Sequence, residues 1–142
     1  MVLVDAVKDG FLEALLGGHA IGAARAARHE AKFYRDAGGV HPIDLEPYVT
    51  AGRLVELSAT RSEVDAIAGV LQRRLGPGEV ESLALVVARG HRFCTADGAA
   101  VRAMKRLGLL DRWVPLEELL ATLNPPRPVP DAKYSRVAAE PK

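Results

Sequence analysis

Gly78-Glu79-Val80-Glu81-Ser82-Leu83-Ala84-Leu85-Val86-Val87-Ala88-Arg89-Gly90, followed almost at once by Arg92-Phe93-Cys94-Thr95-Ala96-Asp97, decides the fold. Glu79 and Glu81 open an apolar helical run, and Asp97 closes a short strand. Open α/β folds bind ligands at the carboxyl edge of their parallel strands, so acids delivered there by separate elements suit a metal-dependent phosphodiesterase. Glu81 lies about 200° around the helix from Glu79, so the two do not point at one metal ion. Glu79 is the preferred candidate and Glu81 the reserve.

Toward the N-terminus, Val2-Leu3-Val4 reads as a short buried strand ending in Asp5. Phe11, Leu12, Leu15 and Leu16 give residues 9–16 the spacing of a helix, with Gly17-Gly18 as its stop. His19 to Gly22 reads as a second strand, and Ala23 to Asp36 as a helix halted by Gly38-Gly39. Pro42 and Pro47 make residues 40–48 a loop, after which Arg53 to Leu57 alternates as a strand does. A helix from Ser62 to Leu75 ends at Gly76-Pro77-Gly78.

Glu79 to Ala88 is apolar enough to be a mostly buried helix, and Phe93-Cys94-Thr95 is a strand. Gly98 to Leu107 is the next helix, with Lys105 and Arg106 in its last turn. Trp113 to Leu116 suits an edge strand because Pro115 cannot donate a ladder hydrogen bond, and residues 117–123 form a short terminal helix. This alternation implies an α/β domain over residues 1–123, with a mainly parallel sheet and helices on both faces. From Pro125 four prolines fall within six residues, so 124–142 reads as a disordered tail.

At 142 residues the chain is long enough for one core, and with 49% hydrophobic but only 5% aromatic residues, Ala, Leu and Val do most of the packing. The 19 Lys and Arg nearly balance 18 Asp and Glu, so a net charge of +1 gives no global field to attract a polyanion. Any RNA binding is therefore local. The single cysteine, Cys94, excludes an internal disulfide and suits a reducing compartment. No apolar run reaches a membrane span and no leader pattern opens the chain, so the expectation is a soluble cytoplasmic protein.

Two stretches carry a family resemblance. Gly78-Glu79-Val80-Glu81-Ser82-Leu83-Ala84-Leu85, then Phe93-Cys94-Thr95-Ala96-Asp97, then Ala100-Val101-Arg102 before Leu107-Gly108, resembles the C-terminal half of PIN-like domains. Arg28-His29-Glu30-Ala31, Pro42-Ile43-Asp44-Leu45 and Ala51-Gly52-Arg53-Leu54 are similar to the family's middle. The resemblance spans roughly residues 19 to 120.

It implies a three-layer α/β/α domain that binds Mg²⁺ or Mn²⁺ and cuts RNA, often as the toxin of a toxin-antitoxin pair. Carried over by position, Glu30, Glu79 and Asp97 are the acids, with Thr95 as the small hydroxyl residue beside the last. Relatives often have two adjacent Asp residues after that strand; here the first is Ala96. The family's first acid ends its first strand, which leaves two readings: Asp5 fills that role in a shortened domain, or the first strand lies upstream of Met1. The resemblance thus implies catalytic and metal-binding roles for Asp5, Glu30, Glu79 and Asp97, an antitoxin protein as partner, and a homodimer. Its alternative is an inactive PIN-like module that binds RNA or a partner protein because the first acid is missing.

The acids also have structural readings. Asp97 suits the N-cap of the helix from Gly98, and Glu79 suits a helix first turn. Glu30 sits among Arg25, Arg28 and Lys32 as solvated helix residues do, and those bases are candidates for RNA phosphates. His91 and Cys94 are three apart but lack a second pair at zinc-ligand spacing. Phosphate-binding glycine loops and Gly-x-Ser-x-Gly turns are absent, which leaves nucleotide and serine hydrolysis without support.

Overall fold

The structure, a computed structural model, describes residues 2–71, 75–123 and 126. It opens with α1 (Val2–Lys8), in which Leu3 and Ala6 are buried. Burial at a spacing of three is the mark of a helix; a strand would have put Asp5 on the same face as Leu3. The expected first strand is thereby corrected, and Asp5 lies in the first turn of a helix rather than at a strand end. The second helix, α2 (Leu12–Gly18), continues through the glycines expected to stop it and ends at His19.

Strand β1 (Ile21–Ala24) leads directly into α3 (Arg25–Glu30). The helix expected to reach Asp36 stops there, and the chain forms an antiparallel hairpin of β2 (Phe33–Asp36) and β3 (Gly39–Pro42). Ala37-Gly38 is the turn of this hairpin and Gly39 opens β3, so the two glycines are not a helix stop. The Asp36 Oδ1 accepts from the Gly38 N–H at 2.8 Å, and Gly39 takes φ of 115°, a conformation open to glycine. Tyr34 stacks on His41 across the strands, with ring centroids 4.8 Å apart.

A short helix, α4 (Glu46–Thr50), interrupts the expected loop, and β4 (Leu54–Leu57) follows. Strand β4 pairs in parallel with β1, from Ile21 against Leu54 to Ala24 against Leu57. Thr60 and Glu63 form a reciprocal capping box that starts α5 (Arg61–Ala68). The next helix, α6 (Pro77–Arg89), is the longest, and Gly90 closes it in the left-handed conformation. Strand β5 (Phe93–Cys94), α7 (Gly98–Arg106), a 3₁₀ turn at Leu110–Arg112, β6 (Trp113–Val114) and α8 (Leu116–Ala121) complete the described chain.

Among the described residues the strands form three separate pairs, two parallel and one antiparallel, in place of the single central sheet expected. Helices nevertheless cover both faces of β5 and β6. Phe93 and Trp113 pack with Ile67, Leu83, Val86 and Met104 of α5, α6 and α7, whereas Cys94 and Val114 pack with the cluster of α1, α2 and α8. This is the period-two alternation of a strand buried on both sides. The proline-rich tail, Pro126 apart, lies outside the described residues.

Helix α6 crosses α3 at a point where only glycine fits. A Cβ on Gly78 would stand 2.9 Å from the Ala27 Cα and 3.1 Å from its backbone nitrogen. Ala in place of Gly inside a helix ordinarily gains about 1 kcal/mol. Here the backbone collision reverses the sign, so Gly78→Ala is expected to destabilise the protein by about 1 to 3 kcal/mol in urea unfolding. A neutral or stabilising result would show that the two helices can part without cost.

Candidate functional site

A cavity of about 900 Å³ opens between β1 and β5, and all four acids singled out in the sequence lie on its wall. Asp5 comes from α1, Glu30 from the end of α3, Glu79 from the first turn of α6, and Asp97 from the junction of β5 and α7. Glu30, Glu79 and Asp97 form the electrostatic core of the site. Their mutual influence is plain at Glu79, whose pKa is raised first by burial, then by a hydrogen bond with Asp97, and further by the negative charges of Asp97 and Glu30.

Each of the three is anchored through one oxygen. The Gly78 N–H donates to Glu30 Oε1 at 3.0 Å, the Gly76 N–H to Glu79 Oε2 at 2.7 Å, and the Ala99 N–H to Asp97 Oδ1 at 2.9 Å. Asp97 is thus the N-cap of α7, as its structural reading required, and it also partners Glu79. Thr95 supports it: Oγ1 accepts from the Asp97 N–H at 3.1 Å, and the Thr95 carbonyl accepts from the Trp113 indole at 2.9 Å. The strand end is therefore held by side chains from both members of the β5–β6 pair.

The structure separates Glu79 from Glu81. Glu81 points away from the other acids and bridges two backbone donors, the Ala26 N–H at 2.8 Å and the Ala59 N–H at 3.1 Å. Ala24 gives α3 no side-chain cap, so Glu81 supplies from α6 the acceptor that the start of α3 lacks. This staple was not read from the sequence, where the only signal was its angular separation from Glu79.

Arg28 is occupied as well. Its guanidinium pairs with Glu56 at 2.8 Å and with Glu46, so it joins α3 to β4 and α4 and is not presented to a phosphate. Cys94 lines the cavity, but burial first, then the Glu117 charge, push its thiol up to about 12. It is a packed side chain and not a nucleophile.

Among the described residues, no three His, Cys, Asp or Glu side chains are arranged to hold a metal ion. Glu30, Glu79 and Asp97 bring carboxylates from three elements to one cavity wall, and burial is the first cause of the raised Glu79 pKa. No described helix is long and apolar enough to cross a membrane. Comparison of the chain with protein-family models, with curated proteins and with solved structures produced no significant match in any of the three.

Two measurements test this geometry. Glu81→Ala leaves two partly buried N–H groups without their acceptor, and a loss of about 2 to 4 kcal/mol in urea unfolding is expected. A change within 0.5 kcal/mol, the usual range for surface substitutions, would remove Glu81 from its bridging role. Glu79 has the opposite sign. Because its folded pKa lies above the ordinary value of 4.5, its stabilising contribution is full below pH 4.5 and is lost as pH rises through the folded pKa. In the absence of divalent ions Glu79→Gln is expected to lose less stability than the parent protein over that rise. Parallel stability curves for the two proteins would contradict the raised pKa.

Proposed function

We propose that this chain is a Mg²⁺- or Mn²⁺-dependent ribonuclease of the PIN-like kind, built as a three-layer α/β/α domain. The observation that carries the reading is the meeting of Glu30, Glu79 and Asp97 on one cavity wall, where burial first and then the neighbouring carboxylates raise the Glu79 pKa. Like charges brought together in this way cost stability unless a cation or a shared proton neutralises them. A divalent cation bound there would offset that repulsion.

In this reading Glu30, Glu79 and Asp97 hold the ion, and Asp5 stands on the same wall from α1. A bound divalent ion polarises a phosphodiester oxygen and lowers the pKa of an attached water. The protein's part is positional. Gly78 orients Glu30 and Thr95 orients Asp97. A protein partner that covers the cavity, in the manner of an antitoxin, and a homodimer belong to the same proposal.

A second reading is a PIN-like module without catalysis that binds RNA or a partner protein. It draws support from the helical position of Asp5 and from the absence of a metal-holding group among the described residues. One experiment separates the two. Asp97→Asn keeps a side chain that caps helices equally well, so the fold is expected to survive. Loss of Mn²⁺-dependent RNA cleavage in a folded Asp97→Asn protein, by 100-fold or more on the order of a lost catalytic charge, is the expected result. A parent protein with neither cleavage nor a Mn²⁺-induced rise in melting temperature favours the second reading.

A further inference from the structure

The hairpin of β2 and β3 leaves one side-chain face open. Residues directly opposite in an antiparallel pair share a face, so the register of Phe33 with Pro42 and of Arg35 with Val40 sets these four side chains together. All four are exposed, Phe33 to 47% and Val40 to 60%. On the other face Tyr34 and His41, stacked on one another, are half-buried.

Arg35 lies over the Phe33 ring, its Cζ 5.5 Å from the ring centroid. A ring attracts a cation without neutralising it. Among the described residues neither Arg35 nor Lys32 makes an ion pair, whereas Arg28, Arg53 and Arg89 are each engaged by glutamates. The hairpin's own acid, Asp36, is taken up by the Gly38 N–H and the His41 ring, both at 2.8 Å. With four residues per strand, about 3.3 Å of rise and about 4.8 Å between strands, the face measures roughly 13 Å by 10 Å. That is roughly a sixth of the 800 Å² or so that each partner gives to a standard protein interface. Its place is fixed by the base of the hairpin, where the Lys32 N–H donates to the Glu30 carbonyl at 2.9 Å and the Ile43 N–H to the Lys32 carbonyl at 2.8 Å. Three residues span at most about 11 Å, so the Phe33 backbone stands within that distance of the acid at the end of α3.

We propose that this face is a stacking platform for about one or two unpaired bases of single-stranded RNA, with a base laid on Phe33 and the Arg35 guanidinium and with Arg35 and Lys32 drawing the adjoining phosphates. Every base has a π-face, so the platform accepts single strands with little regard to sequence. A duplex keeps those faces inside its own stack and is excluded. The face is too small for a protein partner, and its charge complements a phosphate backbone. The choice of RNA rests on the ribonuclease reading, although the platform itself uses neither the acids nor a metal ion. It also meets a need of that reading, because the acids of the cavity wall repel a polyanion and a chain of net charge +1 has no global field to offset them. The hairpin supplies that attraction locally.

The test is the fluorescence anisotropy of a short labelled oligouridine mixed with the 142-residue chain in EDTA and low salt, where metal-dependent cleavage is silent. Phe33→Ala is expected to weaken binding by about 5- to 100-fold at an unchanged melting temperature, and Phe33→Trp to keep it. Arg35→Ala is expected to weaken binding and to lower the slope of log affinity against log salt by about 1. The proposal is overturned if Phe33→Leu, apolar but without a ring, binds as the parent does, if an RNA duplex binds as tightly as the single strand, or if the parent binds no single strand. It is also overturned if Phe33→Ala dissociates a dimer in light scattering and leaves RNA binding intact, which would assign the face to a second copy of the chain. Failure of the ribonuclease reading leaves a different trace: Phe33-dependent binding persists and Mn²⁺-dependent cleavage is absent. Cleavage whose KM does not change in Phe33→Ala removes the platform alone.

Discussion

The close passage of α6 over α3 is the constraint on which the rest of the structure depends. Gly78 lies against the Ala27 backbone with no room for a Cβ, and from that one approach three consequences follow. The Gly78 N–H reaches Glu30, Glu81 two positions after Glu79 reaches the open start of α3, and Glu79 is carried to the end of β5. A wider crossing would undo all three, because hydrogen bonds weaken steeply beyond about 3.2 Å. The glycine thus sets the geometry of the acid group as well as the packing of the helices.

The charges divide into those that stabilise and those that oppose one another. Arg28 links Glu46 and Glu56, and Arg89 at the end of α6 holds Glu63 well below the ordinary carboxylate range, at about 2. These pairs neutralise acids locally. Among the described residues no such cation pairs with Glu30, Glu79 or Asp97, and the positive potential they receive is that of the backbone N–H groups of Gly78, Gly76 and Ala99 at the two helix starts. In a chain whose formal charge is nearly balanced, the gathering of these acids on one cavity wall is the local departure from that balance.

Much of the C-terminal half was legible from the sequence, and much of the N-terminal half was not. The apolar run after Gly78 and the polar-apolar alternation of residues 53–57 correspond to α6 and β4, because long or strongly periodic segments bury the same face wherever they pack. Val2-Leu3-Val4 contains no period at all, and its state was decided by the burial of Leu3 and Ala6 together on one helix face. Residues 33–36 followed helix-forming Ala and Arg, yet hairpin pairing with residues 39–42 prevailed over local propensity. Gly38-Gly39 signals a break in either case, and only the pairing partner determines whether it ends a helix or turns a hairpin.

The sequence by itself determined the α/β class and the position of the long helix α6, because composition, period and breaker residues act locally. Tertiary structure alone decided that Glu79 and not Glu81 joins the acid group, that Asp5 belongs to a helix, and that β1 and β5 remain on opposite sides of a cavity. The physical reason is that these outcomes depend on which backbone groups lie within hydrogen-bond reach across elements. Residues 26, 59 and 81 share no local pattern, and only tertiary packing brings the Ala26 and Ala59 N–H groups to the Glu81 carboxylate, at 2.8 and 3.1 Å.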